Sequence, residues 1–418
     1  EENTRGLDND GHGSHTAGIA AGAPAPVTIN RFIETTVSGV APRATIVSYR
    51  VCYIGEPNTE DSEGCQGSAI LAAIDQAIAD GVDVINYSIG GDARDPWVNG
   101  SADRAFLAAR AAGIFVASSA GNTGPNKSTV TSPAIAPWIM AVGNATHNYI
   151  FGTRVENLSG GDAPVPEGIV GASLTDGLAT RPIVHASDYG YPLCGVGDPE
   201  LQPSCDTNTG ASNPWDGQQP FNGEIVVCDR GLYGRVEKGK NLLLAGAGGY
   251  ILANTEEQGE SIDADDHCLP ASHVGVNDGD ALRSWLDSGS GHEGRISNMV
   301  LARFDAAADQ LSFSSSRGPA PEPVQDTLKP NVIAPGTSIL AASDQGDGYL
   351  ILTGTSMASP HVAGAAALLK SVHPDWTVSQ VASAIETTAT QELGKDEFGE
   401  PATTQQMGAG RPQLDEAA

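Results

Sequence analysis

The sequence predicts an α/β fold: an open, mostly parallel sheet with helices on both faces, interrupted by a smaller, β-rich α+β domain. Three observations carry this expectation. Short runs that are apolar throughout alternate with alanine-rich runs of helical length, and fully apolar strands joined by helices point to a parallel sheet covered on both faces. Between Gly143 and Ser312 the alternation gives way, with glycine, proline and aspartate crowding 159–220. A chain of 418 residues has room for one large domain and a second.

Taken in order, the expected strands are 44–51, 82–89, 114–118 and 138–142, and the expected helices are 15–21, 67–79, 101–112, 356–370 and 377–388. In sheets of this kind sites form beyond the carboxyl ends of the strands. Ser88-Ile89-Gly90-Gly91 and Ser119-Ala120-Gly121-Asn122 both follow expected strands.

Composition narrows the function. The chain carries 22 Lys and Arg against 51 Asp and Glu, a net charge of −29. The acids are scattered, and such a surface repels nucleic acid and anionic lipid. No run of eighteen apolar residues exists, so no membrane-spanning helix is expected. Six cysteines, an even number, suggest disulfides and an oxidising compartment. The expected pairs, among fifteen possible sets, are Cys52–Cys65 around the acidic loop 55–64, Cys194–Cys205 and Cys228–Cys268. No Cys-x₂-Cys is present to favour zinc.

The richest stretch is Gly354-Thr355-Ser356-Met357-Ala358-Ser359-Pro360-His361-Val362-Ala363-Gly364. It sets one hydroxyl, Ser356, at the start of an expected helix. Free N–H groups and the positive end of the helix dipole there stabilise an oxygen that turns negative. Pro360 is expected in the first helical turn, where its missing N–H costs nothing. An ordinary Ser/Thr helix cap is the plain alternative for a Thr-Ser pair standing alone.

Acyl transfer from serine needs a base, and imidazole titrates in the right range. Of nine histidines, His12 is flanked by glycines at an expected helix start, next to open space. His15 and His361 read as structural. Asn122 offers an amide donor for a developing oxyanion, or else is a turn residue in Gly121-Asn122-Thr123-Gly124-Pro125. Asp8-Asn9-Asp10-Gly11 mimics the opening of a calcium loop, but its twelfth position is Ile19 rather than glutamate. Asp263–Asp266 reads as a solvated acidic loop. Gly246–Gly249 lacks the following Gly-Lys-[Ser/Thr] of a phosphate cradle.

The serine motif resembles that of the subtilisin-like serine proteases. Asp10-Gly11-His12-Gly13-Ser14-His15-Thr16-Ala17-Gly18 is similar to the family's histidine motif, and Ala120-Gly121-Asn122 to its oxyanion motif. Gly39-Val40-Ala41-Pro42-Arg43-Ala44 and Ser314-Ser315-Ser316-Arg317-Gly318-Pro319 resemble further family signatures. The resemblance implies a catalytic domain split between 1–150 and 306–418. The intervening 151–305 looks like a protease-associated domain that covers or extends the cleft.

By the same resemblance Ser356 is the nucleophile, His12 the general base and acid, and Asn122 the oxyanion donor. Ser88, Gly90, Gly91, Ser119, Ala120 and Gly121 are expected to flank an extended substrate. The family's triad also holds an aspartate in an Asp-[Ser/Thr]-Gly context before the histidine. The match in this chain, Asp287-Ser288-Gly289, follows an expected helix and lies on the wrong side of His12. The aspartate is therefore expected upstream of Glu1. The implied protein is a secreted, monomeric endopeptidase acting on polypeptides. It needs no cofactor for chemistry; structural calcium is compatible, with its ligands unknown. Small residues in the cleft imply broad specificity with some preference for large apolar side chains. The alternatives are a truncated or inactive peptide binder and, more distantly, a serine esterase, although no Gly-x-Ser-x-Gly surrounds Ser356.

Overall fold

The computed structural model describes residues 8–29, 33–53, 64–97, 101–196, 205, 215, 218–303, 308–344, 348–392 and 394–418. Apart from Gly64, the acidic loop expected at 55–64 lies outside the described residues.

Four parallel strands form the first sheet, in the order Val332–Pro335, Met140–Ala145, Phe115–Ser119, Val84–Tyr87. Phe115–Ser119 and Met140–Ala145 are buried at every position, which explains why they read as unbroken apolar runs. On one face lie helices Thr355–Val372 and Val378–Thr387, with Val362, Ala366, Leu369, Val381 and Ile385 packed on Phe115, Val142 and Val332. On the other lie Gly67–Asp80 and Ser101–Ala111, whose Ile70, Ile74 and Phe106 meet Ile114, Val116 and Ile139. The predicted α/β architecture with helices on both faces is what the chain adopts.

One expected strand does not form. Residues 45–50 carry no regular structure, and Ile46 and Val47 are each 49% exposed. An apolar run becomes a strand only when a neighbour pairs its backbone and another layer covers its side chains. Past its end only Cys52–Tyr53 finds such a neighbour, pairing antiparallel with Gly64–Cys65.

The second sheet has eight strands, all drawn from 149–303. Their order is Glu293–Ile296, Leu178–His185, Ile225–Asp229, Gly249–Ala253, Ala271–Val274, Val170–Ala172, Tyr149–Ser159, Val300–Arg303. Glu293–Ile296 also pairs with Tyr149–Ser159, which closes the sheet on itself. Its four central strands are parallel and the rest antiparallel. Helices Arg235–Leu244 and Val276–Leu286 pack on it.

The expected Cys52–Cys65 disulfide is present, but the other four cysteines pair as Cys194–Cys228 and Cys205–Cys268. Nearness in sequence misled here. Cys228 lies in Ile225–Asp229, which runs parallel to Leu178–His185, and the chain leaving that second strand returns beside it. Asp229 donates its N–H to the Pro192 carbonyl at 2.8 Å, so Cys194 arrives next to Cys228 with the Cα atoms 5.6 Å apart.

The second sheet meets two small hairpins through an apolar cluster. Phe151, Ala172, Ala264 and Met299 pack with Val27 and Ile29, and with Leu340, Tyr349 and Ile351 of the hairpin Ile339–Ala342/Tyr349–Leu352.

Candidate active site

Helix Thr355–Val372 begins one residue before Ser356, so Pro360 falls in the second turn rather than the first. That difference has a chemical consequence. A proline there cannot donate to the carbonyl four residues earlier, which is that of Ser356. The Ser88 hydroxyl donates to it instead, at 2.8 Å. In return the Ser356 hydroxyl donates to the Ser88 carbonyl at 3.4 Å. Asn86 donates to Ser88 Oγ at 3.1 Å and accepts from Ser359 Oγ at 2.7 Å. The end of strand Val84–Tyr87 and the first turns of the serine helix are thus bonded to one another.

Asn122 is placed by a residue that sequence reasoning passed over. Its Oδ1 accepts from both the N–H and the hydroxyl of Thr355, each at 3.0 Å. Thr355 Oγ1 in turn accepts the Gly121 N–H at 3.2 Å. With Oδ1 committed, Nδ2 is the free end of the amide. Gly121 makes the approach feasible: at φ +112° a side chain would be strained, and a Cβ would lie 2.8 Å from Ser316 Oγ. Thr355 could have been suspected as the first helical residue, but its partner is more than two hundred positions away.

The Ser356 N–H and Asn122 Nδ2 are without a partner among the described residues. Both belong to residues lining a cleft of about 580 Å³ that also takes in Ser88, Gly90, Gly91, Ser119 and Gly121. Ala120 is not in its wall: it is fully buried, its N–H bonded to Val142 and its carbonyl to Thr131. Gly91 lines the cleft, but its N–H and C=O are both bonded to Ser132, at 3.0 and 3.1 Å.

His12 opens helix His12–Ala21 and is half-buried. That helix packs on the serine helix where a Cβ on Gly364 would lie 2.8 Å from the Ala20 carbonyl, so glycine is what lets them touch. The His12 ring makes no hydrogen bond among the described residues and is not in the cleft wall; the Ser356 hydroxyl faces the Ser88 carbonyl. Burial lowers the His12 pKa, and the charges of Asp10 and Asp8 oppose that. Burial thus favours the neutral ring, the form that can take a proton. His15 and His361 are structural. His15 Nε2 lies 3.0 Å from the Ile339 carbonyl and 3.1 Å from that of Leu350, and His361 Nδ1 lies 2.9 Å from the Met357 carbonyl.

Neither acidic segment fits calcium. Asp8 accepts the N–H groups of Asp10 and Gly11 at 3.1 Å and of Ser14 at 2.7 Å. Burial pushes its carboxyl up, but these bonds outweigh that and hold it at about 2. Asp263–Asp266, expected as a solvated loop, is largely internal: Asp263 pairs with Arg230 and Arg235, and Asp265 with Arg235 at 2.9 Å. Among the described residues no group of three or more His, Cys, Asp or Glu is placed to hold a metal ion. No described helix is long and apolar enough to cross a membrane.

The model of the subtilase family matches residues 1–410. The chain belongs to the subtilase family. It is 40% identical to the subtilisin-like protease SBT1.4 of Arabidopsis thaliana, over 91% of this chain and 47% of that one. SBT1.7 and SBT1.5 of the same plant are each 38% identical, over 96% of this chain and 52% and 51% of theirs. This subtilase chain therefore spans about half the length of the curated relatives it matches.

Proposed function

We propose that this subtilase is a secreted serine endopeptidase that works through Ser356, His12 and Asn122. Ser356 Oγ attacks the peptide carbonyl, and its proton passes to His12. The oxygen that becomes negative takes hydrogen bonds from the Ser356 N–H and Asn122 Nδ2. As the C–N bond breaks, His12 returns the proton to the leaving amine, leaving an acyl-enzyme on Ser356. Water, deprotonated by His12, then releases the acid and restores the serine.

The observation that carries this reading is the locking of Asn122 by Thr355, which leaves two unpartnered donors beside one hydroxyl at a single cleft. Donors arranged before the charge appears cost no reorganisation when it does. Ser88, Gly90, Ser119 and Gly121 flank an extended substrate in this reading, while Gly91, already paired with Ser132, serves as wall. Their small side chains leave room for large apolar groups, so specificity is broad. Segment 151–305 acts as a protease-associated domain beside this site. Secretion is supported by six cysteines all engaged in disulfides.

Fluorophosphonate labelling and hydrolysis of a long unstructured peptide, in the full-length protein beside Ser356→Ala, test it. Both signals should vanish in the variant, with turnover falling on the order of 10⁶-fold. A wild type that neither labels nor cleaves would sink the proposal in favour of peptide binding without cleavage.

A further inference from the structure

The loop bearing Asn122 is held from two sides. Thr355 holds the side-chain amide, and segment 314–317 holds the backbone from behind. Ser316 donates its N–H to the Gly121 carbonyl at 3.0 Å, and its hydroxyl accepts the Thr123 N–H at 3.2 Å. Gly124 donates to the Ser314 carbonyl at 2.9 Å. Arg317 donates its backbone N–H to Thr129 Oγ1 at 2.9 Å and accepts the Thr129 N–H at 3.0 Å. Segment 314–317 is neither helix nor strand, so no regular ladder fixes its own position.

Ser315 Oγ accepts the Asn144 N–H at 2.9 Å, and a second anchor is the Arg317 side chain, only 1% exposed. Its Nη2 donates to the Ser312 carbonyl at 3.1 Å and to Glu397 Oε2 at 2.9 Å. Glu397 is itself buried, and its carbonyl accepts the Glu260 N–H at 2.7 Å and Gln310 Nε2 at 3.3 Å. The ion pair is thus closed in on every side, and a charge-assisted bond there is directional. Loss of its carboxylate would leave a buried guanidinium free to turn toward other acceptors.

We infer that Glu397 is a positioning residue for the reaction. Through Arg317 it fixes segment 314–317, and through that segment the backbone from which Asn122 reaches the oxyanion. The inference rests on the proposed role of Asn122. Among the described residues Glu397 is hydrogen-bonded to Arg317, Gln310 and Glu260, none of them in the cleft wall, and its effect should appear in turnover rather than in substrate affinity.

The test uses the full-length protein, with active sites counted by fluorophosphonate titration. Glu397→Gln keeps the volume and one acceptor but removes the charge. Arg317→Met combined with Glu397→Leu replaces the pair by apolar groups, an exchange that buried pairs often tolerate. Per titrated site, each should lower kcat about 10-fold with KM changed less than about 2-fold. Combined with Asn122→Ala, Glu397→Gln should cost less than about 2-fold more, because both act on one interaction.

Wild-type kcat in either folded variant would overturn the inference, as would a full 10-fold loss persisting on the Asn122→Ala background. If Glu397→Gln fails to fold, the apolar pair decides alone. Asn122→Ala with wild-type kcat would remove the oxyanion assignment itself, and an inactive, unlabelled wild type would remove the whole reading of the site. An active wild type that responds to Asn122→Ala but not to Glu397→Gln removes this inference only.

Discussion

Around Ser356 the groups that matter are neutral and fixed by short-range bonds: a threonine hydroxyl, an asparagine amide, two serine hydroxyls and helix N–H groups. Inside the second sheet, neutral pairs such as Thr153 and Ser272 are accompanied by charges. Arg230, Arg235, Asp263 and Asp265 form one buried network. His273, fully buried, sits against it, its Nε2 2.8 Å from Asn254 Oδ1. Lys238 lies 3.9 Å over the Tyr233 ring, and burial pushes it down to about 7. Strongly shifted titratable groups often mark a catalytic site. Here many of them lie in or beside the second sheet, and loop 259–266, which carries Asp263 and Asp265, is bonded to the chain that follows that sheet. Ala264 donates to Ser338 Oγ at 3.1 Å, and Ser261 Oγ accepts the Phe313 N–H at 3.2 Å. The cleft, by contrast, is recognised by donors left unpaired.

If that contrast is right, substitutions in the two regions should separate stability from turnover. Arg235→Ala strands Asp265 and leaves Asp263 to Arg230 alone, and should cost about 3 kcal/mol of stability, with kcat per titrated site unchanged. A comparable fall in kcat of the folded variant would break the comparison. Asn122→Ala should do the reverse. Its kcat should fall about 10²–10³-fold, while its denaturation midpoint moves by no more than about 1 kcal/mol.

A third expectation concerns pH. Burial lowers His267, in the loop before Ala271–Val274, to about 4, opposed only in part by Asp265. The unfolded chain takes up that proton near pH 6.5 and the folded one only near 4, so stability is complete above 6.5 and falls as pH drops to 4. Two and a half units correspond to about 3 kcal/mol. Burial pushes His361 of the serine helix to about 4 as well, with the same sign. His267→Gln should therefore reduce the slope in denaturation midpoint between pH 6.5 and 4; an unchanged slope would place the titration elsewhere. The smallest effect is expected from Thr355→Val, which withdraws one bond from Asn122 and one from Gly121. A loss in kcat of about 5–10-fold would fit about 1 kcal/mol per bond, and no loss would mean that Asn122 holds its pose unaided.

Much of the first sheet was legible because its signals are local. Phe115–Ser119 and Met140–Ala145 are buried on both faces, and the runs that signalled them, 114–118 and 138–142, are apolar at nearly every position. Helix Val378–Thr387 starts at Thr377 with Gln380 three residues on, a capping box readable in sequence. His12 and Ser356 both stand at helix starts, where glycines and a Gly-Thr turn signalled them. The failure at 44–51 has the opposite origin: its apolar content was real, but a strand needs a partner, and that is no property of the run itself.

From the sequence alone follow the alternation of buried strands and helices, the serine motif at a helix start, the asparagine after a strand, and Cys52–Cys65. Each is set by periodicity, capping or a short loop, over which the chain has few alternatives. Only the tertiary structure decided that Cys194 meets Cys228, that Ser88 replaces the N–H missing at Pro360, that Thr355 turns the Asn122 amide, and that Asp263 and Asp265 face inward to arginines. Those pairings join positions tens to hundreds of residues apart. Which of many equally suitable partners meet there depends on which faces pack together, and no local stretch of sequence carries that choice.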